Sequence, residues 1–309
     1  MAQDFDGTFH DLWSDWLFHY RNGNDAGYLK SIQTATAGYA ERVLDGGKLA
    51  TGMTLVDVGC GDGLVGLRAI ERIGSDLQVI MTDISRPLLD YAKQQAEARG
   101  VSVQCHFIEC AADHLGDIPD GSVDLVCTRA VLAYVADRAA AMREFLRILK
   151  PGGRLSVAEP LFRDEALAVM SLRKLLDRPA LAPHQTPDPF LPLLHRWKAA
   201  QFPDTEERMA QTPITNYSER DLLQLVQSCG FTRPHLELHI DIQPSEVPSW
   251  EVFLEIAPHP QAPSLKTILA ERFTADERAL LERVVRSHLE AGQSVNVDRV
   301  VYLTAIKPG

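Results

Sequence analysis

Residues 55–63 read Leu-Val-Asp-Val-Gly-Cys-Gly-Asp-Gly, and no other stretch restricts the possible folds of this chain as much. The apolar positions predict a buried strand that breaks into a glycine loop, and apolar periodicity from about Leu64 predicts a helix directly after it. Gly59, Gly61 and Gly63 remove side chains where the backbone must turn sharply, and they let a ligand approach the main chain. The helix that follows points its free N–H groups at the same spot. The spacing departs from the dinucleotide fingerprint G-x-G-x-x-G, because Leu64 stands where the third glycine belongs. Asp57, inside the strand end, would repel a pyrophosphate but can accept a hydrogen bond from an ammonium group. The loop therefore points to a nucleoside that carries an amino acid.

The segments downstream extend the pattern. A strand over 77–81 ends in Thr82-Asp83-Ile84-Ser85, which sets an acid at a strand end roughly 20 residues past the glycine loop, where it can take ribose hydroxyls. A third strand, 103–108, leads into Cys110-Ala111-Ala112-Asp113-His114 and then Ile118-Pro119-Asp120-Gly121. A fourth ends in Thr128-Arg129-Ala130-Val131-Leu132-Ala133-Tyr134-Val135, and after a helix Lys150-Pro151-Gly152-Gly153 turns into a fifth, 154–158.

In this order and spacing, the segments over residues 50–160 resemble the motifs of the class I S-adenosylmethionine (SAM) dependent methyltransferases. The resemblance implies an α/β, Rossmann-like, doubly wound sheet of seven mixed strands, the last of them antiparallel, with helical cap insertions. It implies that SAM is the cofactor and lies over Gly59, Cys60 and Gly61. Its ammonium would meet backbone carbonyls and Asp57, its ribose Asp83 beside Ile84, and its adenine the segment 111–114. The family's adenine-binding acid has its place at Ala112 here, with Asp113 one position later. Thr128 and Arg129 close the fourth strand, and Arg129 is placed to bind the cofactor carboxylate or an acidic substrate.

Charge narrows the acceptor. The net charge of −11 argues against a nucleic-acid backbone and an anionic membrane surface, which bind through Lys and Arg. Nothing approaches 18 consecutive apolar residues, and the acidic first residues lack the apolar core of a signal peptide. The five cysteines have no C-x-x-C spacing, so a reduced, cytoplasmic setting is expected.

The remaining segments divide the chain. Phe9, Leu12, Trp13, Trp16, Leu17 and Tyr20 share one helical stripe, Asn22-Gly23-Asn24-Asp25 breaks it, and a second helix runs over 26–44. Residues 1–48 are expected to pack on the core as a helical lid, whose exposed face could serve a homodimer, with 49–160 as the SAM-binding core. Residues 161–215 form a substrate cap, helical over 165–176 and then irregular, because Pro179, Pro183, Pro187, Pro189 and Pro192 crowd one stretch. Residues 216–309 complete the core. They open with the capping box Ser218-Glu219-Arg220-Asp221 before a helix that stops at Gly230. A half-exposed edge strand follows over 235–242, and an insertion, 244–292, has one helix over 264–272 and another opened by Thr274-Ala275-Asp276-Glu277. A closing strand, 295–306, is expected between strands five and six. His235, Glu237 and His239 alternate along the edge strand as metal ligands can, but a solvated polar face accounts for them, and no metal site is expected.

Methyl transfer is an in-line displacement in which the cofactor carries the electrophile. The protein has to align the acceptor, exclude water and, where needed, take a proton. Tyr134, Glu159, His19 and His195 are the candidate bases or orienting groups. The large insertions suggest a closed pocket for a small-molecule acceptor of O, N or C type in specialised metabolism. The fold also hosts other chemistry. One alternative is attack of SAM's own amine on its γ-carbon, giving azetidine-2-carboxylate and methylthioadenosine, and a second is a catalytically silent SAM-binding partner protein.

Overall fold

The computed structural model describes residues 2–3, 9–178 and 188–309. Seven strands form the central sheet: β1 Thr54–Val58, β2 Gln78–Asp83, β3 Cys105–Glu109, β4 Val123–Arg129, β5 Leu149–Pro160, β6 Thr232–Pro244 and β7 Val295–Ile306. Their order is β3-β2-β1-β4-β5-β7-β6. The first five run parallel, and β7 lies antiparallel between β5 and β6, pairing Leu303 with both Val157 and Leu236. This is the mixed seven-stranded sheet implied by the sequence.

The central strands read as apolar runs because both sheet faces are covered. Val56 and Val58 enter one cluster with Phe145 and Leu222, whereas Leu55 enters the opposite one with Leu44 and Ile70. The order of strands reverses at β1, so the crevice at the carboxyl ends of β1 and β4 is the position where an open α/β sheet takes a ligand.

The N-terminal segment departs from a simple amphipathic helix. Asp11 caps α1, Leu12–Asp15, and the chain then winds into a π-turn over Trp16–Tyr20, with the Arg21 N–H donating to the Trp16 carbonyl. The extra residue per turn breaks the 3.6-residue stripe. Leu17 stays buried while Leu12 and Tyr20 are exposed. Helix α2, Ala26–Gly47, then covers one sheet face through Ala40, Val43 and Leu44. Helices α3 Leu64–Ile73, α4 Arg86–Ala98 and α5 Arg138–Ile148 connect the parallel strands.

After β5, α6 spans Arg163–Leu176. Pro179, Pro183 and Pro187 fall outside the described residues. The expectation of irregular structure fails beyond them, because α7 runs over Phe190–Gln201 with Pro189 as its N-cap and Pro192 in its first turn. The first N–H groups of a helix have no intrahelical acceptor, so a proline there costs no hydrogen bond. Two short helices follow, α8 Glu206–Gln211 and α9 Glu219–Ser228, the latter opened by the Ser218/Asp221 capping box. The second insertion holds three helices where the sequence suggested two: α10 Trp250–Glu255, α11 Leu265–Arg272 and α12 Ala275–Glu290.

The two insertions share one core. Leu193 and Trp197 of α7 bury against Trp250, Ile268, Phe273 and Leu281. Outside it, Arg196 Nη1 pairs with Glu277 Oε2 at 2.9 Å. On the edge strand, Glu237 lies within hydrogen-bond range of both His235 and His239, and Leu238, Ile240 and Ile242 are exposed. Among the described residues no helix is long and apolar enough to cross a membrane.

Candidate active site

The glycine loop is held from below by backbone and carboxylate. The Cys60 N–H donates to the Thr82 carbonyl at 2.8 Å, and the Gly61 N–H donates to Asp83 Oδ2 at 2.9 Å. Asp83 Oδ1 accepts from the Ser85 N–H at 2.9 Å, so one carboxylate ties the loop to the start of α4. Its burial raises its pKa against the effect of these donors. Gly59 has φ +64°, and a Cβ there would stand 2.5 Å from Val131 Cγ2. That position excludes a side chain on both counts. Asp57 lies fully buried beneath the loop and accepts the Gly66 N–H at 2.9 Å, and burial pushes its carboxyl up to about 7.

The end of β4 is shaped by a second buried acid. Ala130 has φ +57° and donates its N–H to the Ala158 carbonyl at 2.8 Å. Glu159 then accepts from Thr128 Oγ1 at 3.2 Å, from the Val131 N–H at 3.0 Å and from the Ala133 N–H at 3.1 Å. These bonds fix a strained turn that carries Tyr134 into the cavity, where its ring meets Trp13 edge-on at 5.2 Å. Burial and the Glu159 carboxylate raise the Tyr134 phenol above its ordinary value. At neutral pH it keeps its proton and acts as a hydrogen-bond donor.

The N-terminal segment spans the glycine loop and reaches the second insertion. Trp16 Nε1 donates to the Ala257 carbonyl at 2.9 Å, and the Ala257 N–H donates to the Tyr20 carbonyl at 2.9 Å. Beneath this clasp lies a continuous cavity of about 1080 Å³. One end is walled by Gly59, Gly61, Asp83 and Asp113, and the other by Phe162, Lys198 and Phe202. Arg21 and Arg129 face the cavity near Tyr134, and among the described residues neither has a carboxylate within ion-pair distance. Burial and the neighbouring Arg129 lower the Arg21 guanidinium to about 10.

Of the residues singled out in the sequence, Gly59, Gly61, Asp83, Ile84, Ala112, Asp113, Arg129 and Tyr134 line this cavity. Asp57, Cys60, Thr128 and Glu159 do not; all four are buried behind the wall, their polar groups facing backbone and neighbours. Asp57 therefore braces the loop rather than presenting its carboxylate to a ligand. His19 is exposed on the outer side of the lid, with Nδ1 3.0 Å from Asn24 Oδ1. His195 points to Asp204, Nε2 to Oδ2 3.4 Å, in an ion cluster with Arg173 and Arg208. Neither histidine lines the cavity: His19 is exposed, and His195 is half-buried with its ring turned to Asp204. Sequence reasoning passed over Arg21 and Lys198. Arg21 carries a weak signal, a cation directly after the aromatic stripe. Lys198 carries none while its segment is read as irregular.

The geometry is that of a SAM-type cradle, and comparison with known proteins places it. Residues 56–157 match a family model described as a methyltransferase domain. The tRNA 5-carboxymethoxyuridine methyltransferase of Escherichia coli (strain K12) is 39% identical over 105 residues, 34% of this chain and 39% of that protein. Nocamycin O-methyltransferase of Saccharothrix syringae is 32% identical over 148 residues, 47% of this chain and 51% of its own length. The chain thus spans about half or less of the curated relatives it matches. The YcgJ protein from Bacillus subtilis superposes with a TM-score of 0.54 at 16% identity, covering 89% of this chain and 99% of that one. The [4+2]-cyclase SpnF superposes at 0.50 with 22% identity, covering 89% and 82%. At such identities these two share the fold alone. Over residues 56–157, a third of its length, this chain is thus similar to the methyltransferase domains of the class I S-adenosylmethionine-dependent superfamily.

Proposed function

We propose that this chain transfers the methyl group of SAM to a small-molecule acceptor held under the cap. One observation carries the reading: a single cavity joins the glycine cradle to the cap, and its volume of about 1080 Å³ leaves room for a second molecule. One drug-sized ligand occupies a site of roughly 300–1,000 Å³. The bare main chain at Gly59 and the acid at Asp83 fit a nucleoside, and the guanidinium of Arg129, without an ion pair among the described residues, fits a carboxylate. When bound, SAM supplies an electrophilic methyl group.

The chain's own residues then bind, orient and exclude water. Asp83 takes the ribose, Ile84 and the Ala112–Asp113 stretch border the adenine, and Arg129 with Arg21 holds the amino-acid carboxylate. Tyr134 and Trp13 wall the space between cradle and cap. Tyr134 orients the acceptor as a donor, and Glu159 acts through the turn that carries Tyr134 rather than on a substrate.

Incubating the pure protein with SAM, alone and with a small-molecule extract, tests the reading by the mass of the nucleoside product. Adenosylhomocysteine formed only with the extract is expected. Methylthioadenosine formed without an acceptor would replace the proposal with SAM cyclisation, and cofactor binding without either product would leave a binding protein. Unchanged affinity for SAM in Arg129→Ala would remove Arg129 from the cradle.

A further inference from the structure

Lys198 lines the cavity beside the cap, and among the described residues no carboxylate pairs with it. It belongs to α7, is half-buried, and lies with its ammonium over the Trp197 ring at 4.4 Å. Glu165 is the acid that acts on it electrostatically, and that carboxylate is already taken by Arg299 at 3.1 Å. Burial lowers the Lys198 pKa, as expected for an ammonium stripped of water. A partly desolvated ammonium without an ion-pair partner gains more from an anion brought by a ligand than one in water does.

The surroundings describe what that anion is attached to. Phe162 and Phe202, 6.1 Å apart between centroids, form an apolar wall beside Lys198. Gln201, one turn on, is spent on structure: its Nε2 donates to the Pro263 carbonyl at 3.0 Å, and its own carbonyl lies 2.9 Å from His259 Nε2. The other cations of the cavity without an ion pair among the described residues, Arg21 and Arg129, lie near Tyr134. Lys198 is thus the cation of the cap wall, seated on aromatic surface.

We infer that the cap holds an acceptor with a flat apolar body and an acidic oxygen, which Lys198 binds while Phe162 and Phe202 pack its rings. This deepens the methyl-transfer reading by assigning the class of acceptor, and it rests on that reading. A charge-assisted hydrogen bond formed out of water discriminates the acid from a neutral analogue by roughly tenfold or more.

The test uses 2-naphthoate and 2-naphthamide as matched probes, titrated calorimetrically into the full chain saturated with adenosylhomocysteine. Naphthoate is expected to bind roughly tenfold or more tightly than the amide. Lys198→Met should abolish that preference while leaving the amide's affinity unchanged, and Lys198→Arg should retain most of it. Adenosylhomocysteine affinity should be the same in all three proteins, which also shows that the variants fold. Equal affinity for the two probes, binding of neither, or a preference that survives Lys198→Met but disappears in Arg129→Gln would each overturn the assignment. Failure of adenosylhomocysteine itself to bind would instead bring down the cofactor reading, and the two failures are read from separate titrations.

Discussion

Between Thr54 and Pro160 the cavity is walled by bare main chain at Gly59 and Gly61 and by side chains such as Asp83, Arg129 and Tyr134, on turns fixed by bonds such as Gly61 to Asp83 and Val131 to Glu159. Across the cavity stand the side chains of Phe162 and Phe202, packed on the sheet's core, and of Lys198, on a helix that joins a body assembled from segments far apart in sequence. Trp197 and Trp250 share that body's core, and Arg196 reaches Glu277 across 81 positions. Backbone cradles tolerate little change because a φ angle or a missing Cβ has no substitute. Side-chain walls can be exchanged one residue at a time. In the proposed methyl transfer the first wall holds the cofactor and the second selects the acceptor.

The sharpest way to break this comparison is to unfold one wall alone. Trp197→Ala empties the centre of the cap core and should cost about 3–5 kcal/mol. Hydrogen exchange should then show lost protection over α7, α10, α11 and α12 with the strands still protected. Loss of protection in β1 and β4 as well would mean that the two walls are one cooperative unit.

Asp57 should reveal the first wall through pH. A buried acid raised from 3.8 to about 7 holds its proton more tightly in the folded chain than in the unfolded one. Stability should therefore fall as the pH rises from about 4 to about 7 and level off above, by a few kcal/mol at most. Asp57→Asn should flatten that part of a Tm-against-pH profile while still accepting the Gly66 N–H. A slope unchanged in the variant would assign it to another group.

Gly59→Ala asks an L-residue to adopt φ +64° against Val131. Strain of about 1–3 kcal/mol is expected in equilibrium unfolding, with weaker adenosylhomocysteine binding by calorimetry. The smallest effect belongs to the clasp between the walls. Trp16→Phe loses the bond to the Ala257 carbonyl, worth about 1 kcal/mol, and should raise exchange at the Ala257 amide without altering the core strands.

Legibility followed the same division. The first strands could be read from the sequence because each is a short apolar run ended by a turn or an acid, and the antiparallel place of the closing strand followed from the family resemblance. Helix α7 could not, since prolines that read as breakers sit at its cap and first turn, where they cost nothing. Helix α10 was passed over although Ser249 caps it, because six residues carry too little periodicity. His19 and His195 were attractive as residue types, but neither lines the cavity.

The sequence by itself determined the parallel-core strands as segments and the glycine cradle, because those depend on interactions among neighbours along the chain and on backbone geometry that only certain residues permit, while the order of the strands followed from the family resemblance. Which cations face the cavity, which acids sit behind its wall, and that two separate insertions share one core were decided by tertiary structure alone. Those facts depend on the direction of each side chain after distant segments have packed. No local pattern encodes that direction.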